Sequence, residues 1–133
     1  MSVISDNNDF SFKKRERLHH RNDIQELFEK GSSFYLYPFK VIYIAEPLDS
    51  KIKPQQLLIS VPKRKFKKAP DRNFIKRQVR EAYRHHKSLI DPEKLSKSLR
   101  IAYIYTSDKK MPSDTLTKKL KKTLERLHQE FVV

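Results

Sequence analysis

Apolar positions recur along the chain with two different periods, and the switches between them mark out its elements. In DIQELFEK, residues 23–30, Ile24, Leu27 and Phe28 share one side of a 3.6-residue repeat, which predicts a short helix. Asn22 and Gln25 are spaced as a capping box at its start, and Gly31 stands where a left-handed C-terminal cap would end it. Residues 33–45, SFYLYPFKVIYIA, are aromatic and β-branched and predict a strand. Pro38 has no N–H for a ladder, so it marks an edge, a bulge or a break there. Beyond it both faces are largely apolar: Phe39, Val41 and Tyr43 point one way, Ile42 and Ile44 with Lys40 the other. A two-layer fold needs only one buried face, so the second is either core beneath a helix or a partly open binding surface. EPLDSKIKP, 46–54, reads as a turn region, QQLLISV, 55–61, as a second strand and LRIAYIYT, 99–106, as a third.

Residues 72–90 carry the strongest helical signal. At about 100° per residue, Ile75, Val79, Ala82, His86, Leu89 and Ile90 fall within one arc of about 100°. The adjoining arc holds Lys76, Lys87, Arg80, Asn73, Arg84 and Arg77, so this helix is half core and half cation. A final amphipathic helix spans 113–131, with Leu116, Leu120, Leu124, Leu127 and Phe131 as its stripe and Ser113 or Asp114 as its cap. The order helix, strand, strand, helix, strand, helix, with Pro38 able to split the first strand, predicts an α+β fold. Its form is a single two-layer α/β sandwich with a small mixed sheet. Residues 1–10 are expected to be a flexible tail and 11–133 one domain, without repeats or a linker.

Charge narrows the possible partners. The chain has 133 residues and a net charge of +14, which points to a polyanion, nucleic acid before anionic membrane. Residues 63–87 hold eleven cations and two acids, whereas residues 1–30 hold six of each. The charge is therefore a patch, with a second basic region at 109–130. There is no cysteine, which removes disulfides, thiol nucleophiles and Cys-based zinc sites. No apolar run approaches membrane-spanning length, and MSVISDNNDF lacks the order of a signal peptide, so a cytoplasmic protein is expected.

A catalytic constellation is hard to assemble. His86 reads as part of the core stripe, and His19, His20, His85 and His128 as surface. Asp71 suits the positive end of the long helix, and Glu81 suits a pair with Arg77 or a nearby lysine. No carboxylate cluster would hold two metal ions, and no glycine-rich loop would cradle phosphates. The residues alone describe a chain that binds nucleic acid and does not cut it. Cations supply sequence-independent phosphate affinity, and Asn73, central in the basic arc, can both donate and accept.

The stretch SVPKRKFKKAPDRNFIKRQVREAYR, 60–84, resembles the signature of the bacterial ribonuclease P protein component. That family has a strand ending in a Lys-rich loop, an Arg-Asn-Arg helix start, Ile-Lys-Arg, an apolar pair and an Arg-Glu-Ala-aromatic-Arg run. Arg72, Asn73, Ile75, Lys76, Arg77, Arg80, Glu81, Ala82, Tyr83 and Arg84 fall in step with it. Upstream, Phe12, Arg15, Arg17 and Leu18, then Phe28 and Gly31, resemble its N-terminal pattern. The element order agrees over roughly residues 10–131.

The resemblance implies a subunit of a ribonucleoprotein in which a partner RNA cleaves the 5′ leader from precursor tRNA with Mg²⁺ bound mainly by that RNA. It also implies a left-handed β-α-β crossover and agrees with the missing catalytic constellation; no metal is assigned to the protein alone, and the free protein is expected to be monomeric. Carried over by position, Lys63, Arg64, Lys65, Lys67 and Lys68 look like the basic loop, and Arg72 and Asn73 the helix start. Lys76 and Arg80 look like leader-side contacts, while Arg77 and Arg84 point toward the catalytic RNA. Ile24, Phe28, Lys40 and Ile42 fall where the family places its leader cleft. Phe74 departs from the pattern, which has a basic residue there. It either packs on a neighbouring loop such as 62–70 or stacks on RNA. The rival readings are a ribosomal-type or chaperone RNA-binding protein, and a protein-only nuclease.

Overall fold

The computed structural model describes residues 21–47, 55–89 and 97–131. Expectations for the 1–10 tail, for Phe12, Arg15, Arg17, Leu18, His19, His20 and Ile90, and for most of 46–54 lie outside them. The elements run α1 (Arg21–Lys30), β1 (Ser32–Leu36), β2 (Phe39–Glu46), β3 (Gln55–Ser60), α2 (Ala69–His86), a 3₁₀ turn (Lys87–Leu89), β4 (Ser98–Tyr105) and α3 (Ser113–Phe131). The sheet order is β1-β2-β4-β3. β1–β2 and β2–β4 are antiparallel and β3–β4 is parallel, so the sheet is mixed and the α+β expectation holds. Pro38 sits in the turn that breaks the first aromatic stretch into β1 and β2.

The two faces of the sheet are finished differently. Alternation along β2 sends Phe39 and Val41 into the main core, with Leu57, Leu99, Ile101, Tyr103 and Tyr105 from β3 and β4. α2 adds Ile75, Val79, Ala82 and Tyr83, and α3 adds Leu116, Leu120, Leu124 and Leu127. Each of those leucines contributes about 1.5–3 kcal/mol by burial. Two phenols are buried with partners: Tyr83 donates to Gln55 Oε1 at 2.8 Å, and Tyr103 lies 2.6 Å from Thr123 Oγ1. Burial pushes the Tyr103 phenol well above its ordinary range. Tyr83 lies beyond the arc expected to be core, about 80° round the helix from Ile75. Burying its ring there required the Gln55 acceptor, which lies 28 residues upstream.

The opposite face carries α1 alone among the described helices. Leu27, Ile42 and Ala102 are buried there, with Ile24, Ile44, Leu58 and Ile104 half-covered around them. Arg100 holds this layer electrostatically. Its guanidinium, only 15% exposed, reaches Glu26 at 2.8 Å, Glu46 at 2.7 Å and Asp23 at 3.6 Å, linking α1 to β2 and β4.

Two local expectations are corrected. Asn22 lies within α1, and Gln25 donates forward to Glu29 Oε1 at 2.8 Å, so no capping box forms. Gly31 does not adopt a positive φ and is not a left-handed cap. Its N–H continues the helix, donating to Leu27 O at 2.9 Å. Glycine is needed because α1 lies directly on the sheet: a Cβ would meet the Leu27 carbonyl oxygen and sit 2.7 Å from Ile42 Cγ2. Gly31→Ala should therefore destabilise the protein by about 1–3 kcal/mol, the usual range for overpacking. A thermal unfolding midpoint equal to that of the native protein would contradict this.

His86 is half-buried at the end of α2. Burial, and then Lys121 and His85 nearby, hold its pKa below the ordinary value. The unfolded chain is thus protonated first as pH falls, so stability is lost below about pH 6.5. The thermal midpoint should decline between about pH 7 and about pH 5, less steeply in His86→Gln. Parallel profiles for the two proteins would show that another group governs the acid response.

Candidate nucleic-acid interface

The basic segment folds into a loop and the first half of α2, and Arg72 is what joins them. Residues 63–65 form a tight turn in which Pro62 O accepts from Lys65 N at 3.1 Å and Phe66 N at 3.3 Å. Phe66 then tilts onto Tyr105, with ring centroids 6.1 Å apart, anchoring the loop to the core. Arg72 Nη1 donates to Phe66 O at 2.9 Å and Lys67 O at 3.0 Å, holding the loop's descending strand against the helix. Lys63, Arg64, Lys67 and Lys68 are left exposed and Lys65 half-buried. Arg72 is therefore chiefly occupied within the protein. Its position on the wheel, about 60° from Ile75 and inside the buried arc, carried that signal.

α2 begins three residues earlier than the sequence suggests, because Ala69 and Pro70 are helical, and proline is compatible with a first turn. Lys68, the N-cap, makes no side-chain capping bond. Lysines thus gather at the positive end of the helix dipole, a setting that favours an incoming anion through charge, since Pro70 has no N–H and the Asp71 and Arg72 N–H groups donate to Lys68 O. Asp71 lies in that first turn as expected, and its carboxylate is held 2.9 Å from Lys110 Nζ, chiefly by that hydrogen bond keeping its pKa below the usual range.

Along α2 the cations emerge on one flank. Asn73, Arg77 and Arg80 are exposed and Lys76 is half-exposed. Lys76 and Arg80 lie away from α3, which meets α2 on the far side, where Gln78 donates to Ser113 Oγ at 3.2 Å, and Arg77 reaches the groove between the two helices. Arg84 differs from the other cations. Glu81 pairs with it rather than with Arg77, at 2.7 Å and 2.8 Å from one guanidinium nitrogen, which lowers the Glu81 pKa and raises that of Arg84. Arg84 thus enters any phosphate contact already paired. Glu81 also stands one turn before His85, a metal-ligand spacing, but its carboxylate is engaged by Arg84. Among the described residues no group of three or more His, Asp or Glu side chains gathers as a metal cage.

The other expected contacts lie on the α1 face. Ile24 and Ile42 belong to one apolar cluster there, Phe28 is 44% exposed and Lys40 is exposed. Ile42 is only 6% exposed and serves as floor beneath α1. Lys76 and Arg80 are not packed against these four. α2 belongs to the other face, over the edge strand β3, and its cationic flank projects outward there. Tyr35, which the sequence reading passed over, is 59% exposed, pairs across the ladder with Lys40, and has its hydroxyl 3.2 Å from Thr106 Oγ1. Its alternation with Phe34 was the available signal. Phe74, expected to pack on a neighbouring loop such as 62–70 or to stack on RNA, meets Lys110 of the loop before α3, while Phe66 is the aromatic that seats loop 62–70. Phe74 borders a groove between α2 and α3 with Lys110 Nζ 5.2 Å from its ring centroid.

No helix among the described residues is long and apolar enough to cross a membrane. Residues 12–128 match the Ribonuclease P family model. The ribonuclease P protein component of Porphyromonas gingivalis (strain ATCC BAA-308 / W83) is 33% identical over 120 residues, spanning 89% of this chain and 87% of that one. That of Thermotoga maritima is 41% identical over 80 residues, 60% of this chain and 64% of its own. Among solved structures, the RNase P protein from Thermotoga maritima superposes with a TM-score of 0.67 at 29% identity, covering 84% of this chain and 96% of that one. The Staphylococcus aureus RNase P protein gives 0.66 at 28%, covering 84% and 94%. Fold, basic helix and sequence agree over most of its length: the chain belongs to the ribonuclease P protein family, the protein component of a tRNA-processing ribonuclease.

Proposed function

We propose that this chain assembles with a ribonuclease P catalytic RNA in the cytoplasm, grips the 5′ leader of precursor tRNA, and promotes Mg²⁺-dependent leader removal while the RNA performs the cleavage. The observation that carries this reading is α2: one side is locked into the core and the other offers Lys76, Arg77 and Arg80 beside a loop of lysines ordered by Arg72. In this reading the Mg²⁺ is bound mainly by the RNA. What the protein supplies is positioning and charge. The loop and Arg77 face the catalytic RNA, with Arg84 beside them. Ile24, Phe28 and Lys40, floored by Ile42, together with Lys76 and Arg80 past the β3 edge, contact the leader. The free protein is monomeric.

Reconstitution tests the reading. The purified protein should stimulate leader removal by a cognate catalytic RNA at low Mg²⁺ and should leave precursor tRNA intact without that RNA. Cleavage by the protein alone, or absence of stimulation, would sink it.

The division of α2 into two RNA-facing sides is tested separately. Lys76→Ala and Arg80→Ala should weaken leader-bearing substrate more than assembly with the catalytic RNA. Each should also lower the salt slope of substrate binding by about 0.7 to 0.9. Equal losses in both assays would show that the two sides do not exist.

A further inference from the structure

α2 has a third flank that neither the core nor the cationic arc uses. Phe74, Gln78, Glu81 and His85 occupy it within about 60° of rotation. There the two long helices leave an open groove of about 300 Å³, lined by Phe74, Arg77, Gln78 and Glu81 from α2 and by Leu116 and Thr117 from α3, with the Glu81 carboxylate already held by Arg84. That volume is at the small end for binding sites, enough for a planar ring system and too little for a helix.

Three features show what the groove would hold. Phe74 keeps 40% of its surface exposed in the middle of the most cationic segment of the chain. Gln78 donates to Ser113 Oγ at 3.2 Å, but its Oε1 is buried without a partner. Turning the amide over exchanges the two ends and still leaves one unspent, but that end lies behind the groove wall, so a base edge reaches it only when the Gln78 side chain swings outward. The third feature is charge at the mouth. Lys110, tied to Asp71 at 2.9 Å, overhangs the Phe74 ring, and Arg77 connects the groove to the cationic flank. A flat apolar wall, a polar group at its edge and cations at the opening match a nucleotide part by part.

We propose that this groove takes one unpaired nucleobase of the catalytic RNA. The base stacks on Phe74 and turns its edge toward the Gln78 amide, and its phosphate lies between Arg77 and Lys110. Bases inside a helix cannot present a free face in this way, so the nucleotide comes from a loop, bulge or end. Every base has a π-face, so stacking alone selects little for sequence, and the Gln78 amide supplies what selection there is. The proposal rests on the functional reading above, because it presumes that the catalytic RNA binds this side of α2.

The test compares the full-length native protein, Phe74→Leu and Phe74→Trp for affinity toward the cognate catalytic RNA across a salt series, with thermal unfolding of each free protein. Loss of the stack should weaken Phe74→Leu by about tenfold at unchanged salt slope, with Phe74→Trp near native. Phe74→Leu binding as tightly as the native protein overturns the groove and leaves the functional reading standing. Phe74→Trp binding as weakly as Phe74→Leu also overturns it, since an aromatic face at position 74 would then not be what holds the RNA. Failure of the native protein to bind the RNA removes the functional reading and the groove with it. A benzophenone side chain at position 74 gives an independent readout in the reconstituted complex. Cross-linking to an unpaired nucleotide supports the proposal, and cross-linking to a duplex segment or to protein overturns it.

Discussion

The rotation of α2 about its own axis is the constraint from which the rest of the molecule follows. Ile75, Val79, Ala82 and Tyr83 are buried against the sheet, and that burial leaves the helix one orientation. The crossover from β3 to its parallel neighbour β4 limits where the helix can lie, and α3 closes one side. Once the stripe is buried, Lys76, Arg77 and Arg80 have nowhere to point except outward. A like-charged row that would repel itself on a free helix is held together by the core beneath it. The same rotation carries Arg72 toward the loop carbonyls, so cation display and loop order come from one packing event.

This arrangement suits a protein whose contribution to catalysis is electrostatic and positional. The perturbed groups answer to burial or to neighbouring charges: the Tyr103 phenol by enclosure, Asp71 by Lys110, Glu81 by Arg84. Within the basic segment Arg84 pairs with Glu81 at 2.7 Å, and that pair shows what a carboxylate does to a cation placed to meet phosphate. A surface pair of this kind adds little stability, but it offsets a positive charge that would otherwise face RNA.

The elements were legible in the sequence wherever a periodic pattern and its stop signals coincided. α3 agrees with its prediction at both ends, and Pro38 separates β1 from β2 as one of its three readings allowed. The same holds for the half-core, half-cation character of α2. Less legible was anything decided by partners distant in the chain. Tyr83 is buried because Gln55 receives its hydroxyl, and Arg72 is engaged because a loop folds back onto it. Gly31 shows how a correct emphasis can carry a wrong reason. It was singled out for its place after a helix, yet its smallness serves contact with Ile42 on the sheet, a neighbour that only the tertiary fold supplies. The site residues divided similarly. Their types were readable, but the sheet edge that stands between Lys76 and the α1 face was not.

Arg100 draws three of the protein's sixteen acidic residues to a single cation. In a chain so rich in lysine this leaves the α1 face nearly neutral locally, while the α2 side keeps its field. Long-range attraction therefore orients an approaching polyanion before any contact forms, and brings it to the α2 side first. The cost is that α1 is seated partly by ion pairs and only partly by apolar burial. Added salt loosens that seat by the same screening that weakens RNA affinity, so a salt titration of the complex reports on the protein's own architecture as well as on its grip.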